Sequence, residues 1–191
     1  EVEQENGLHY SFEDLSEFFY YVSGLEDQTL NIIWDNNKYI DILYYKALAL
    51  FELRRNKESL EVLHNALDFS PVGIKYRFEI VENFISQKAY LNAEEYLEDL
   101  KFNVVKSSDF ARVYRRIGYI KTESKNYIEA RICFELSKVF EDSNIADQEL
   151  KYINSKLETL KSESSKHSYN NLNNLIREAI KYNLIFELSE Q

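Results

Sequence analysis

The sequence predicts an all-α protein, an α-α superhelix (solenoid) of stacked antiparallel helix hairpins with flanking helices at both ends. Three observations predict it. Apolar residues recur three and four positions apart almost throughout, the spacing of one helix face. Glycine and proline are nearly absent, with four and one in 191 residues, which leaves a sheet fold without its corners. A helix-turn-helix plan also returns three times at a period near 34 residues.

Residues 1–10 are expected to be poorly ordered, and 11–191 to form a single helical domain. Ser11, with Asp14 three residues on, reads as a helix cap, after which Phe12, Leu15, Phe18, Phe19 and Val22 form one face and Gly24 ends the helix. A shorter second helix is predicted around Leu30, Ile33 and Trp34. The first repeat, about 40–71, has helices over 40–53 and 57–69, a polar corner at Arg54-Arg55-Asn56, and Ser70-Pro71 as its stop. The second, about 74–105, has helices over 74–86 and 91–101 and turns at Gln87-Lys88. The third, about 109–142, has helices over 110–123 and 127–140 and turns at Ser124 to Asn126. Ser59 and Ala93 lie 34 apart and Ala93 and Ala130 lie 37 apart, the extra three residues being assigned to a polar loop at Lys106 to Asp109. Beyond the repeats, Ala146, Leu150, Ile153, Leu157 and Leu160 give a narrow stripe on a helix at about 145–161. A Ser/Lys-rich loop over 161–168 precedes a last helix at about 169–188, which carries Leu172, Leu175, Ile176, Ala179 and Phe186 as a terminal cap or docking helix.

The third copy resembles a tetratricopeptide repeat (TPR). Gly118 is the small first-helix residue, Tyr127 opens the second helix, Ala130 is the close-packing alanine and Phe134 fills the space beside it. The first copy is similar through Leu43, Ala47, Leu50, Ser59, Leu63, Ala66 and Pro71, the second through Ile80, Phe84, Tyr90, Ala93 and Leu97. Val81 replaces a small residue there, and Lys46, Arg77 and Lys121 stand where the family has apolar ones, on stems long enough to keep their charges in water.

The resemblance implies a concave groove lined by the first helices of successive hairpins. Tyr44, Leu48 and Phe51 would come from the first copy, Phe78, Glu82 and Ile85 from the second, and Arg112, Arg115 and Tyr119 from the third. Such a surface suits a protein segment or peptide with aromatic and aliphatic anchors, and hence an adaptor, scaffold or assembly role. The alternatives are a structural or self-associating repeat portion of a larger protein, with a homodimer or a flanking helix filling the groove, and a peptide-sensing regulator. Chaperone-binding members of the family grip a C-terminal carboxylate with basic and amide side chains from three first helices. Arg112 and Arg116 match that pattern, but Tyr44, Leu48 and Glu79 occupy its other places, so the clamp is expected to be absent.

Composition narrows the field. A net charge of −10 and a pI near 4.9 disfavour nucleic acid and anionic lipid as partners. No apolar run approaches the roughly 20 residues of a membrane span, so no insertion by this segment is expected. The chain has no methionine, even at position 1, which predicts a trimmed start. Localisation is therefore open: cytoplasmic by default, exported or lipid-anchored if a signal preceded Glu1. No enzyme, cofactor or metal is predicted. Glu61 and His64 form a lone Glu-x-x-His pair on an outer face, whereas a di-iron bundle needs two such pairs. Glu94, Glu95, Glu98 and Asp99 read as a solvated face, Cys133 as a small core residue, and the four glycines fit no phosphate loop.

Overall fold

The structure is a computed structural model that describes residues 7–35 and 38–163; the helix expected at about 169–188 lies outside the described residues. The chain divides into two compact units, Glu1–Val105 and Lys106–Gln191, where the sequence alone predicts one domain from residue 11 onward.

Unit 1 contains β1 (Leu8–Tyr10), α1 (Leu15–Ser23), β2 (Ile32–Trp34), α2 (Tyr39–Glu52), α3 (Asn56–Phe69), α4 (Ile74–Ser86) and α5 (Tyr90–Lys101). The hairpins α2/α3 and α4/α5 follow the predicted repeats to within a residue or two. Helix α2 turns Ile40, Leu43, Ala47 and Leu50 inward, where they meet Leu63, Ala66, Tyr76 and Ile80 from the neighbouring helices. The small residues act as their positions predict: Ser59 is fully buried and its Oγ donates to the Ala47 carbonyl at 2.9 Å. Asn83 Nδ2 donates onward to Ser59 Oγ at 3.2 Å and to the Glu79 carbonyl at 3.0 Å, a buried polar link between the two hairpins.

The N-terminal segment departs from expectation. Leu8–Tyr10 is a strand rather than loose chain, and Ile32–Trp34, read as helical, is its parallel partner, pairing Leu8 with Ile32 and Tyr10 with Trp34. Two β-branched residues and a tryptophan in a row favour a pleated strand, and α1 supplies the crossover that a parallel pair requires. The α1 cap is Asp14, which accepts from Ser16 N at 2.9 Å and Glu17 N at 3.1 Å, while Ser11 reaches the Asp35 carbonyl instead. Phe12 and Phe18 gather on Trp34, with Phe18 stacked on the indole at 5.7 Å, but Leu15 and Phe19, predicted on the inner face, are more than 60% exposed. A helix of nine residues packed on a two-stranded sheet and the hairpin ends has room to bury only part of that stripe.

This βαβ segment is fastened to the hairpins by polar contacts. Ser11 N donates to the Phe69 carbonyl at 2.8 Å, and the Tyr20 hydroxyl donates to the Phe102 carbonyl at the end of α5. Between them the buried Glu17 carboxylate accepts from Glu13 N at 2.8 Å and from the backbone N–H of Ile74, the first residue of α4. Gly73, which precedes α4, has no side chain with which to cap it, so the Glu17 carboxyl of α1 supplies the acceptor there.

Unit 2 contains α6 (Ser107–Glu123), α7 (Tyr127–Phe140) and α8 (Asn144–Glu163). The three extra residues of the third repeat, assigned to a loop at Lys106 to Asp109, lengthen α6 at its start, so that Ser107 Oγ reaches the Phe140 carbonyl at 2.5 Å. Phe140 stacks on Phe110 at 5.3 Å and on Tyr114 at 5.8 Å. Ala130 and Phe134 of α7 pack with Ala146, Leu150, Ile153 and Leu157 of α8, the predicted narrow stripe. Gly118 is where α6 approaches α7: a Cβ there would lie 2.8 Å from Phe134 Cε2.

All three hairpin turns close alike. Arg54, Lys88 and Lys125 have φ of 61°, 57° and 60°, the left-handed region. At each, the residue's own N–H and the next one reach back to the ends of the first helix, as in Arg54 N to Phe51 O and Arg55 N to Leu50 O, both 2.9 Å. The protein uses a cation where glycine is the usual choice, and the positive charge suits the helix C-terminus.

Candidate binding cleft

Helix α6 shows how burial sorts its faces. Phe110, Ala111, Val113, Tyr114, Ile117, Gly118 and Ile120 are buried, leaving Arg112, Arg115, Arg116 and Tyr119 at i, i+3, i+4 and i+7 on the opposite side. These four, with Phe134 of α7 and Ile145 and Glu149 of α8, line a cleft of about 220 Å³. That exceeds the cavity of about 150 Å³ that admits a benzene ring, so an aromatic side chain fits. The guanidinium groups of Arg112, Arg115 and Arg116 and the Glu149 carboxylate stand around it. Arg115 Nη1 pairs with Glu141 Oε2 at 3.0 Å, which fixes one wall. An apolar floor beside guanidinium groups is chemically able to take a ring or aliphatic side chain.

Three of the nine groove residues predicted from the sequence, Arg112, Arg115 and Tyr119, therefore meet in unit 2. Arg116 is absent from those nine and Phe134 was read as core, while Ile145 and Glu149 were missed. The signal for Ile145 was available. It stands one residue ahead of the Ala146–Leu157 stripe and so off the face that packs on α7.

The other six lie in unit 1. Tyr44, Leu48 and Phe51 are half-buried on α2, as are Glu82 and Ile85 on α4. Phe78 is fully buried and lines no groove. Helix α4 is interior, with Ile74, Tyr76, Phe78, Ile80, Val81 and Asn83 all buried, so packing claims the position that repeat geometry assigned to the open face. The α2/α4 junction is filled. The Tyr44 hydroxyl donates to Glu79 Oε1 at 3.4 Å, and the Lys75 ammonium lies 5.5 Å from the Tyr44 ring, 5.1 Å from the Tyr76 ring and 3.8 Å from Asp41 Oδ1. A cavity of about 70 Å³ remains beside Glu17, Asp41, Lys75 and Tyr76, room for a few water molecules. Burial, helped by the Asp41 and Glu17 carboxylates, pushes the Tyr76 phenol well above its ordinary range.

Among the described residues no three His, Cys, Asp or Glu side chains converge as a metal site would require, and no helix is long and apolar enough to cross a membrane.

Hairpins with a small first-helix residue, a buried small residue early in the second helix and a common turn define a tetratricopeptide-type fold. The chain is similar to the first TPR of Spaghetti (RPAP3), solved bound to the HSP90 peptide SRMEEVD; the two are 18% identical, covering 62% of this chain and 93% of that one, with a TM-score of 0.53. It is similar also to the Sgt2 TPR domain from Aspergillus fumigatus, at 16% identity, 66% and 83% coverage and a TM-score of 0.53. The Arabidopsis OM64 TPR domain gives 16%, 61%, 95% and 0.52. At these identities the likeness is one of fold. No family model matches the sequence, and comparison with curated proteins gives no match.

Proposed function

We propose that this chain is a non-catalytic protein-interaction module that holds a segment of another protein in the α6–α8 cleft. The observation that carries the reading is the cleft itself, an apolar pocket of about 220 Å³ under three arginines on the face that packing leaves over. The ligand this chemistry recognises is a peptide segment with one aromatic or branched aliphatic anchor and an adjacent carboxylate. The Spaghetti domain was solved with such an acidic peptide, but here Tyr44 and Glu79 bond to each other at clamp positions, so anchor burial rather than a carboxylate clamp is the basis of binding. The test is capture from a native lysate by the full chain, wild type against Tyr119→Glu/Ile145→Glu. Capture lost while far-UV circular dichroism is retained supports the cleft; the same proteins recovered by both would refute it.

A second reading, self-association, has its own observation. On the outward side of α2, Ile42 and Tyr45 are 62% and 68% exposed, and Leu53, just past the helix end, is 66% exposed. Light scattering decides between them: a dimer that becomes monomeric in Ile42→Glu/Tyr45→Glu supports this reading, and a monomeric wild type refutes it.

A further inference from the structure

The bonding pattern of the parallel pair β1/β2 leaves both of its edges open, the longer one on β2. Leu8 N donates to the Asn31 carbonyl at 2.9 Å and Asp35 N donates to the Tyr10 carbonyl at 2.8 Å. Alternate residues of the second strand, from Asn31 through Ile33 to Asp35, thus serve the ladder with β1. The N–H and C=O groups of Ile32 and Trp34 turn the other way, and among the described residues none of the four makes a hydrogen bond. On β1 only His9 has its main-chain pair outward. Parallel strands are ordinarily flanked and covered, and an edge of unpaired main-chain groups is a template for a further strand.

The surroundings of the β2 edge select what can pair there. Side chains alternate across a strand. Ile32 and Trp34 lie on the α1 face, where Phe18 stacks on the indole at 5.7 Å and Trp34 stays 38% exposed. Asp35 lies on the opposite face, its Oδ2 3.8 Å from His9 Nδ1. Residues 7–35 hold six carboxylates and no lysine or arginine. Glu26 and Asp27, ahead of β2, and Asp35 at its end are exposed. A second copy of the chain would bring the same carboxylates and a net charge of −10 to this edge, so like charges oppose self-pairing.

We propose that β2 is a docking edge for an extended segment of a partner protein, added as a third strand in which apolar side chains beside Ile32 and Trp34 alternate with lysine or arginine beside Asp35. Main-chain pairing supplies the affinity and the alternation supplies the selectivity. The proposal does not depend on the α6–α8 cleft. Trp34, the sole tryptophan, is the reporter. The probe is a terminally blocked octapeptide of alternating valine and lysine, titrated into the full chain at low salt. A saturable shift in tryptophan emission is the expected result. It should persist when every second residue of the peptide is N-methylated, which leaves one edge free to pair, and vanish when every residue is methylated. The valine–glutamate counterpart should bind about tenfold more weakly, because its charges meet carboxylates. Ile32→Pro removes an outward N–H and no bond to β1, and should lose the response. No saturable shift, an equal response to the fully methylated peptide, or a wild-type response in Ile32→Pro would overturn strand addition at this edge. Equal binding of the glutamate peptide would overturn the cationic partner.

Discussion

Gly118 is the point at which packing and the cleft depend on one atom. Gly118→Ala adds a Cβ 2.8 Å from Phe134 Cε2, 2.9 Å from Cδ2 and 3.0 Å from Cζ, all closer than carbon atoms pack. Phe134 is only 1% exposed and shares its cluster with Leu150 and Ile153, so the ring has little room to withdraw. Two terms oppose each other. In the middle of a helix, alanine is favoured over glycine by about 1 kcal/mol. Overpacking a filled core costs about 1–3 kcal/mol. The net expectation is a loss of about 1 kcal/mol, or ~2–4 °C in Tm for a chain of this size. Because Phe134 also floors the cleft, the displaced ring should weaken partner capture as well. Thermal and urea unfolding of Gly118→Ala, Phe134→Leu and the double variant form the assay, since the smaller side chain should relieve the clash and give a favourable coupling energy. A Gly118→Ala protein more stable than wild type by the full helix-propensity gain would refute the reasoning, because it would mean that close approach is not what requires glycine.

Other expectations follow from single contacts. Lys88→Gly and Lys125→Gly should each raise stability by about 0.5–1 kcal/mol, since glycine adopts the left-handed φ of 57° and 60° without a Cβ penalty; a fall in the urea midpoint for both would contradict the shared turn geometry. Ser59→Ala should cost about 0.5–1.5 kcal/mol by removing the second bond of the Ala47 carbonyl and one bond of Asn83, as measured by chemical denaturation. Glu17 carries a raised pKa, chiefly from burial and further from the Glu13 and Asp14 charges, so its contribution to stability is full below the ordinary carboxylate pKa and lost as pH rises through the raised one. Trp34, the sole tryptophan, sits in the aromatic cluster of the same segment and reports on it. Its fluorescence-detected unfolding midpoint should gain relative to Glu17→Gln as pH falls toward the carboxylate range, and a wild type that loses relative to the variant would reverse the sign.

Much of the cleft was legible because α6 has a strict pattern. Once Phe110, Val113, Tyr114, Ile117 and Ile120 are assigned to the core, Arg112, Arg115 and Tyr119 are left on the other face by helical geometry alone. The same logic failed for Phe78. Periodicity shows which side of a helix is apolar, but not how many neighbours surround it, and α4 is buried on more than one side. Ile145 and Glu149 were missed because they depend on how α8 is rotated against α7, which is decided by Ala146, Leu150 and Ile153 packing around Phe134.

By itself the sequence determined the helices, their turns and the small residues at which they meet. These are local properties, set by the 3.6-residue period, by the scarcity of glycine and proline, and by a recurring offset near 34 residues. It misassigned Leu8–Tyr10 and Ile32–Trp34, because a three-residue strand has no periodicity of its own and exists only through a partner 24 residues away. Tertiary structure alone decided that pairing, the Glu17 cap on the N-terminus of α4 and the floor of the cleft. Each brings together residues distant in sequence, and that juxtaposition follows from how the elements pack, not from any pattern along the chain.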